Sequence, residues 1–142
     1  MRSRPALLEL ASKALFLVVA LPVVVRAALR LSWLNHRYDL EQLVDRLRAV
    51  RPWPPSYLAN PRYLGGTAWR LLSLLPPRGF GPCLKHSLLL LDLWSRCGLE
   101  PRIHIGTMKA EERPKFHAWI TVADPNLPPQ PNPSEYAEVW SH

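Results

Sequence analysis

Cys83 directly follows Gly81-Pro82 and opens the leucine-rich stretch from Cys83 to Cys97, the strongest helical run in the chain. A thiol at a helix amino terminus meets backbone amides that have no intrahelical acceptor and the positive end of the helix dipole, and both favour the thiolate. The thiolate is the nucleophile, and the same amides can stabilise the oxyanion formed when sulfur attacks a carbonyl. Cys97, at the far end of that helix, has neither advantage. The second chemical residue is His117, in the alternating segment Phe116-His117-Ala118-Trp119-Ile120. That segment reads as a strand, a rigid element from which to aim an imidazole. A thiolate–imidazolium pair is the common route to a nucleophilic cysteine near neutral pH. Asp124 is the only aspartate after His117 and the nearest carboxylate that could orient its ring. Singly, each residue has a plainer reading, Cys83 as a small buried hydrophobe and His117 as a structural strand histidine. Their order along the chain is what points to thiol chemistry. His86, one turn on from Cys83 and on the same helical face, reads as a surface or supporting residue rather than the base.

The elements that must hold these residues are legible from periodicity. Residues 5–31 read as helix, with two packed halves kinked or broken near Pro22. Asp39 caps a helix running to Arg48, with Leu40, Leu43, Val44 and Leu47 on one face. Arg51-Pro52-Trp53-Pro54-Pro55 stops any helix, and residues 60–66, with Gly65-Gly66, read as a loop. Thr67 to Leu75 is expected as a short helix with Trp69, Leu71, Leu72 and Leu75 as its apolar residues, and residues 76–82 as a tight turn. Gly98 ends the Cys83–Cys97 helix. Strands are expected at 101–106, where Ile103 and Ile105 alternate, and at 116–122, with His117, Trp119 and Thr121 on one face. Residues 125–133 hold five prolines, and a short element closes the chain at 135–140. The implied fold is α+β: a helical region over residues 1–75 packed on a core at 76–142 built from one helix and a small antiparallel sheet.

Composition sets the outer limits. The chain has 142 residues, enough for one domain with a real core. Its hydrophobic content of 48% against 20% charged residues excludes a wholly disordered protein. Two cysteines make neither a disulfide framework nor a zinc motif. The formal charge of +7 raises the question of nucleic acid, but the arginines are scattered from Arg26 to Arg70 among apolar residues, and no phosphate loop or nucleic-acid motif accompanies them. Nucleic acid is therefore not expected as the partner. The apolar run from Ala14 to Val25 is short for a membrane span, bounded by Lys13 and Arg26, and not followed by a cleavage site. Peripheral membrane contact or helix-in-groove binding through residues 5–31 stays open beside simple packing on the core.

Three features carry a family resemblance: the Cys83-Leu84-Lys85-His86-Ser87 helix start, the Gly98-to-Gly106 link containing Pro101, and the His117-Ala118-Trp119 strand. In order and separation they resemble the transglutaminase-like leader peptidases of lasso peptide biosynthesis, the B2 proteins, closely over residues 81–122. The resemblance implies a papain-like cysteine peptidase fold and a cytoplasmic Cys–His–Asp hydrolase that removes the leader from a ribosomally made precursor peptide. Cys83 would be the nucleophile, His117 the general base and acid, and Asp124 the orienting acid. The family's acid usually comes later, where this chain reads Pro128-Pro129-Gln130-Pro131-Asn132, so an amide from Gln130 or Asn132 is the alternative to Asp124. The family often has an acid at the position of Thr121 and an arginine at that of His86. No metal or cofactor is implied. The implied partners are the precursor's leader segment, a separate small recognition protein that binds the leader, and an asparagine synthetase-like lasso cyclase. The competing reading is a catalytically weak scaffold that holds the precursor or the cyclase. A further alternative is acyl transfer or deamidation by the same thiol.

Overall fold

The computed structural model describes residues 4–52, 61–74, 81–108, 115–124, 127 and 136–142. The first helix, α1 (Arg4–Asn35), runs without interruption through Pro22, so of the kink or break expected there the break is not made. Proline removes the hydrogen bond to the carbonyl four residues back. Pro22 and Val18 are both exposed, so the carbonyl left without a donor lies on the side where solvent can supply one. The opposite side of α1 buries Ala20, Val24, Ala27, Leu31 and Leu34.

Helix α2 (Leu40–Arg48) forms as its periodicity predicts, with the Asp39 carboxylate accepting from the Gln42 amide at 2.9 Å and Leu43, Val44 and Leu47 fully buried. Helix α3 (Pro61–Leu74) begins earlier than expected and takes in the glycine pair that reads as a loop. Pro61 suits the first helical position, where its missing N–H is no loss. Gly65 lets the helix lie close to its neighbour, since a Cβ there would already touch Leu90 at 3.5 Å and Trp94 at 3.8 Å. The Trp94 indole N–H donates to the Pro61 carbonyl at 3.1 Å and ties the two helices. Trp69, expected on the apolar face of α3, is mostly exposed, while Leu64 and Ala68 take the core positions. Leu75 and the turn at 76–80 lie outside the described residues.

Helix α4 (Pro82–Arg96) is the axis of the fold. Its residues from Ser87 to Trp94 are buried on every side, which marks a helix surrounded by protein. Gly98 ends it with φ of 80°, the left-handed conformation that favours glycine. Helices α1, α2 and α3 pack on α4, as do the strands β1 (Arg102–Met108) and β2 (Lys115–Thr121). With β3 (Tyr136–Ser141) these form an antiparallel sheet in the order β2-β1-β3. The chain is thus α+β. Ile103 pairs with Ile120, and both join the α4 leucines in the core. Period-two alternation then assigns His104, Gly106, His117, Trp119 and Thr121 to the other sheet face. The sheet is also tied to α2, because Arg48 donates to the Pro101 carbonyl at 3.0 Å and His142 Nε2 lies 2.8 Å from the Asp45 carboxylate.

Candidate functional site

Cys83 is the second residue of α4. Gly81 offers no side-chain cap, Pro82 has no amide hydrogen, and the first helical bond runs from the Lys85 amide to the Gly81 carbonyl at 3.1 Å. The amides of Cys83 and Leu84 therefore have no intrahelical acceptor, and they stand beside a half-buried free thiol. Cys97 is the contrasting case: burial pushes its thiol up to about 11, away from nucleophilic use. One turn along from Cys83, His86 is wedged against α3, its ring meeting Trp69 edge-on at 4.9 Å and hydrogen-bonding to the Gly65 backbone. Burial holds His86 below the ordinary imidazole range, although the Gly65 bond opposes that shift. Its Nε2 is buried without a hydrogen-bond partner.

His117 stands on β2, an edge strand that packs directly on α4. Its ring stacks on Trp119 at 6.1 Å and lies 4.9 Å from the Tyr136 ring of β3. Gly106, the partner of His117 in β1, is covered by the Trp119 ring. A Cβ on Gly106 would come within 2.9 Å of the Trp119 ring and 2.8 Å of the Ala137 carbonyl oxygen. Trp119 stacks in turn on His104 at 5.4 Å, with the two planes 11° apart. His104 is held at both nitrogens: Nδ1 lies 2.6 Å from the Glu138 carboxylate, and Nε2 lies 2.7 Å from the Thr121 hydroxyl. The ring thus bridges a carboxylate of β3 and a hydroxyl of β2. The hydrogen bond to His104, followed by one to Ser141, draws the Glu138 carboxyl below its usual range. The result is a row of rings, His104, Trp119, His117 and Tyr136, across one sheet face.

Cys83 and His117 thus lie on elements that pack together, but His117 belongs to the sheet face opposite the one whose Ile103 and Ile120 meet α4. No hydrogen bond joins the two side chains among the described residues. Asp124 follows the far end of β2: at about 3.3 Å per residue the strand carries the chain about 13 Å from His117 by Thr121. The Asp124 carbonyl there accepts from the Leu127 amide at 3.2 Å. Gln130 and Asn132 lie outside the described residues. Among the described residues no group of three His, Cys, Asp or Glu side chains gathers as metal ligands.

Sequence reasoning missed the Glu138–His104–Thr121 link. The alternation of Ile103, His104 and Ile105 was the available signal for the face that His104 occupies. The register that brings Glu138 to it, 34 residues on, is set only by sheet pairing. It also missed Asp92, wholly buried on α4, which accepts from Arg30 of α1 at 2.6 Å and from Arg96 at 3.3 Å. Burial pushes the Asp92 carboxyl up, against the pull of the two guanidiniums.

Comparison with known proteins adds one match, to the model of the transglutaminase-like superfamily over residues 20–141. No curated protein and no solved structure matches the chain. The matched segment contains the Cys83 helix start, the His117 strand and the whole sheet, and includes the part of α1 that packs on α4. The chain belongs to the transglutaminase-like superfamily.

Proposed function

We propose that the protein is a cytoplasmic cysteine peptidase that removes the leader from a ribosomally synthesised lasso precursor peptide, so that a partner cyclase can close the ring. The observation that carries this reading is Cys83 at the start of α4, with the amides of Cys83 and Leu84 beside it free of intrahelical acceptors. Cysteine peptidases occur in the superfamily to which the chain belongs, and the motifs at residues 81–122 resemble the lasso leader peptidases.

In the proposed reaction the His117 ring turns round the edge of β2 to the α4 side and takes the proton from the Cys83 thiol, and the sulfur attacks the scissile carbonyl. The Cys83 and Leu84 amides receive the oxyanion, and the imidazolium returns its proton to the leaving amine. Water, deprotonated by the same imidazole, then resolves the thioester. Asp124, or an amide from Gln130 or Asn132, is the group proposed to orient His117. The leader would reach the site with a separate recognition protein, and the product would pass to an asparagine synthetase-like cyclase.

A second reading is a catalytically weak scaffold that binds the precursor or the cyclase. The placing of the His117 ring between Trp119 and Tyr136, with no hydrogen bond to Cys83, favours it. The two readings separate in a cleavage assay with precursor peptide, read by mass spectrometry. A peptidase loses all cleavage in Cys83→Ala and in His117→Ala while keeping its helix content and its precursor binding. Full cleavage by Cys83→Ala sinks the thiol mechanism, and precursor binding without cleavage by the parent protein and its partners leaves the scaffold.

A further inference from the structure

A surface helix of a globular protein normally turns an apolar stripe inward and a polar face outward. Helix α1 departs from that rule. Its inner side is filled by Ala20, Val24, Ala27, Leu31 and Leu34, yet its outer side is apolar as well. Leu10 is 65% exposed, Val18 69%, Leu21 46%, Leu29 68% and Trp33 53%. At about 100° per residue these five side chains fall along one side of the helix, opposite the buried set. Scattered apolar residues on a surface need no explanation, but a row of this length on one helix does.

Among the described residues, two exposed arginines border the row. Arg26 is exposed on its flank, and the Arg37 guanidinium lies 4.2 Å above the ring of Trp33 at its carboxy-terminal end. The whole chain carries a formal +7. Leucine and valine along a helix face, a tryptophan at the end of the row, and arginines beside it match the acyl–headgroup boundary of an anionic bilayer. The segment Val18–Asn35 is long and apolar enough to cross a membrane, with only 28% of it buried. Its inner side is nevertheless committed to the core, and Arg30 in its middle is tied to Asp92. A helix held in this way cannot leave the protein to cross the bilayer; it can only lie in the interface plane.

We propose that the outer face of α1 is a membrane-docking surface that seats the protein on anionic phospholipid. Apolar burial along Leu10, Val18, Leu21, Leu29 and Trp33 supplies the depth, and Arg26 and Arg37 supply the preference for negative headgroups. This surface is independent of the chemistry at Cys83, so it stands or falls on its own measurement.

The test is flotation of the full chain with vesicles of phosphatidylglycerol and phosphatidylcholine in equal parts, against vesicles of phosphatidylcholine alone. The expected result is recovery with the anionic vesicles, weakened by salt. Val18→Glu with Leu29→Glu should lower the bound fraction about tenfold or more, because it places two carboxylates in the apolar row. Arg26→Glu with Arg37→Glu should abolish the preference for anionic lipid. All four positions are exposed, and an unchanged thermal transition shows that the variants fold. Failure of the parent protein to float with anionic vesicles overturns the proposal, as does equal flotation of the Val18→Glu, Leu29→Glu variant. A soluble dimer that dissociates on Leu29→Glu would assign the face to a second copy of the chain and overturn it too.

Discussion

His86 shows how burial changes the role of a titratable residue one turn from a half-buried thiol. Desolvation against α3 lowers the proton affinity of its ring, although a hydrogen bond to the Gly65 backbone opposes the shift. A histidine whose folded pKa is depressed binds its proton more readily in the unfolded chain. Stability therefore falls as pH drops below the ordinary imidazole value of about 6.5. Urea midpoints measured from pH 7.5 to 5.5 should decline in the parent protein and decline less in His86→Gln. The Glu138 effect lies in a different window. Its carboxyl is depressed, so its contribution is present above the usual carboxylate range and is lost only as pH falls through that range. Gly106 makes a steric demand instead. Alanine there must push both the Trp119 ring and the β3 backbone aside, and overpacking of this kind costs about 1–3 kcal/mol. Gly106→Ala should lower the urea midpoint accordingly and alter the near-ultraviolet circular dichroism of the ring stack.

At the scale of elements, the decisive contact is between α1 and α4. Asp92 is wholly buried at that contact, and Arg30 reaches it from α1 while Arg96 reaches it from one turn along α4. Arg30 also donates to the Arg46 carbonyl at 3.3 Å, so one guanidinium links α1 to both α4 and α2. Replacing a buried ion pair by apolar groups can be neutral, but removing one partner leaves the other's charge uncompensated. Asp92→Ala should cost about 3 kcal/mol, the low end for such a loss because the arginines can turn toward solvent. Chemical denaturation measures it, and an Arg30→Met, Asp92→Leu pair should recover part of the loss.

For the whole molecule, the core is one body. Its buried residues run from Ala20 through Leu43, Leu64 and Leu91 to Ile103 and Ile120, joining helices from the first half to the helix and sheet of the second. Residues 76–142 alone would expose the three-helix side of α4, including leucines that are fully buried in the intact chain. That fragment should show no cooperative thermal transition and weak near-ultraviolet circular dichroism, whereas the full chain should show both. A fragment that melts cooperatively would mean that the sheet and α4 hold a core without the first three helices.

Local periodicity was enough to read the fold class, the capped helix at 40–48, the leucine-rich helix after Gly81-Pro82 and the strand bearing His117, because each rests on side-chain spacing within a few turns or residues. The same spacing put Cys83 at a helix start and His117 on a face with Trp119 and Thr121. Local rules left a break open at Pro22 and placed a loop at the Gly65-Gly66 pair, and a helix runs through each. An exposed proline can be tolerated within a long helix, and a glycine can be kept in one where a neighbouring tryptophan crosses it. Contacts between distant segments had no local signature at all. Only sheet register joined Glu138 to His104 and brought Tyr136 to His117, and only helix packing carried Arg30 to Asp92 and turned Leu10, Val18 and Leu29 outward. Sequence spacing determines which face a residue takes on its own element; what that face meets is decided when the elements pack.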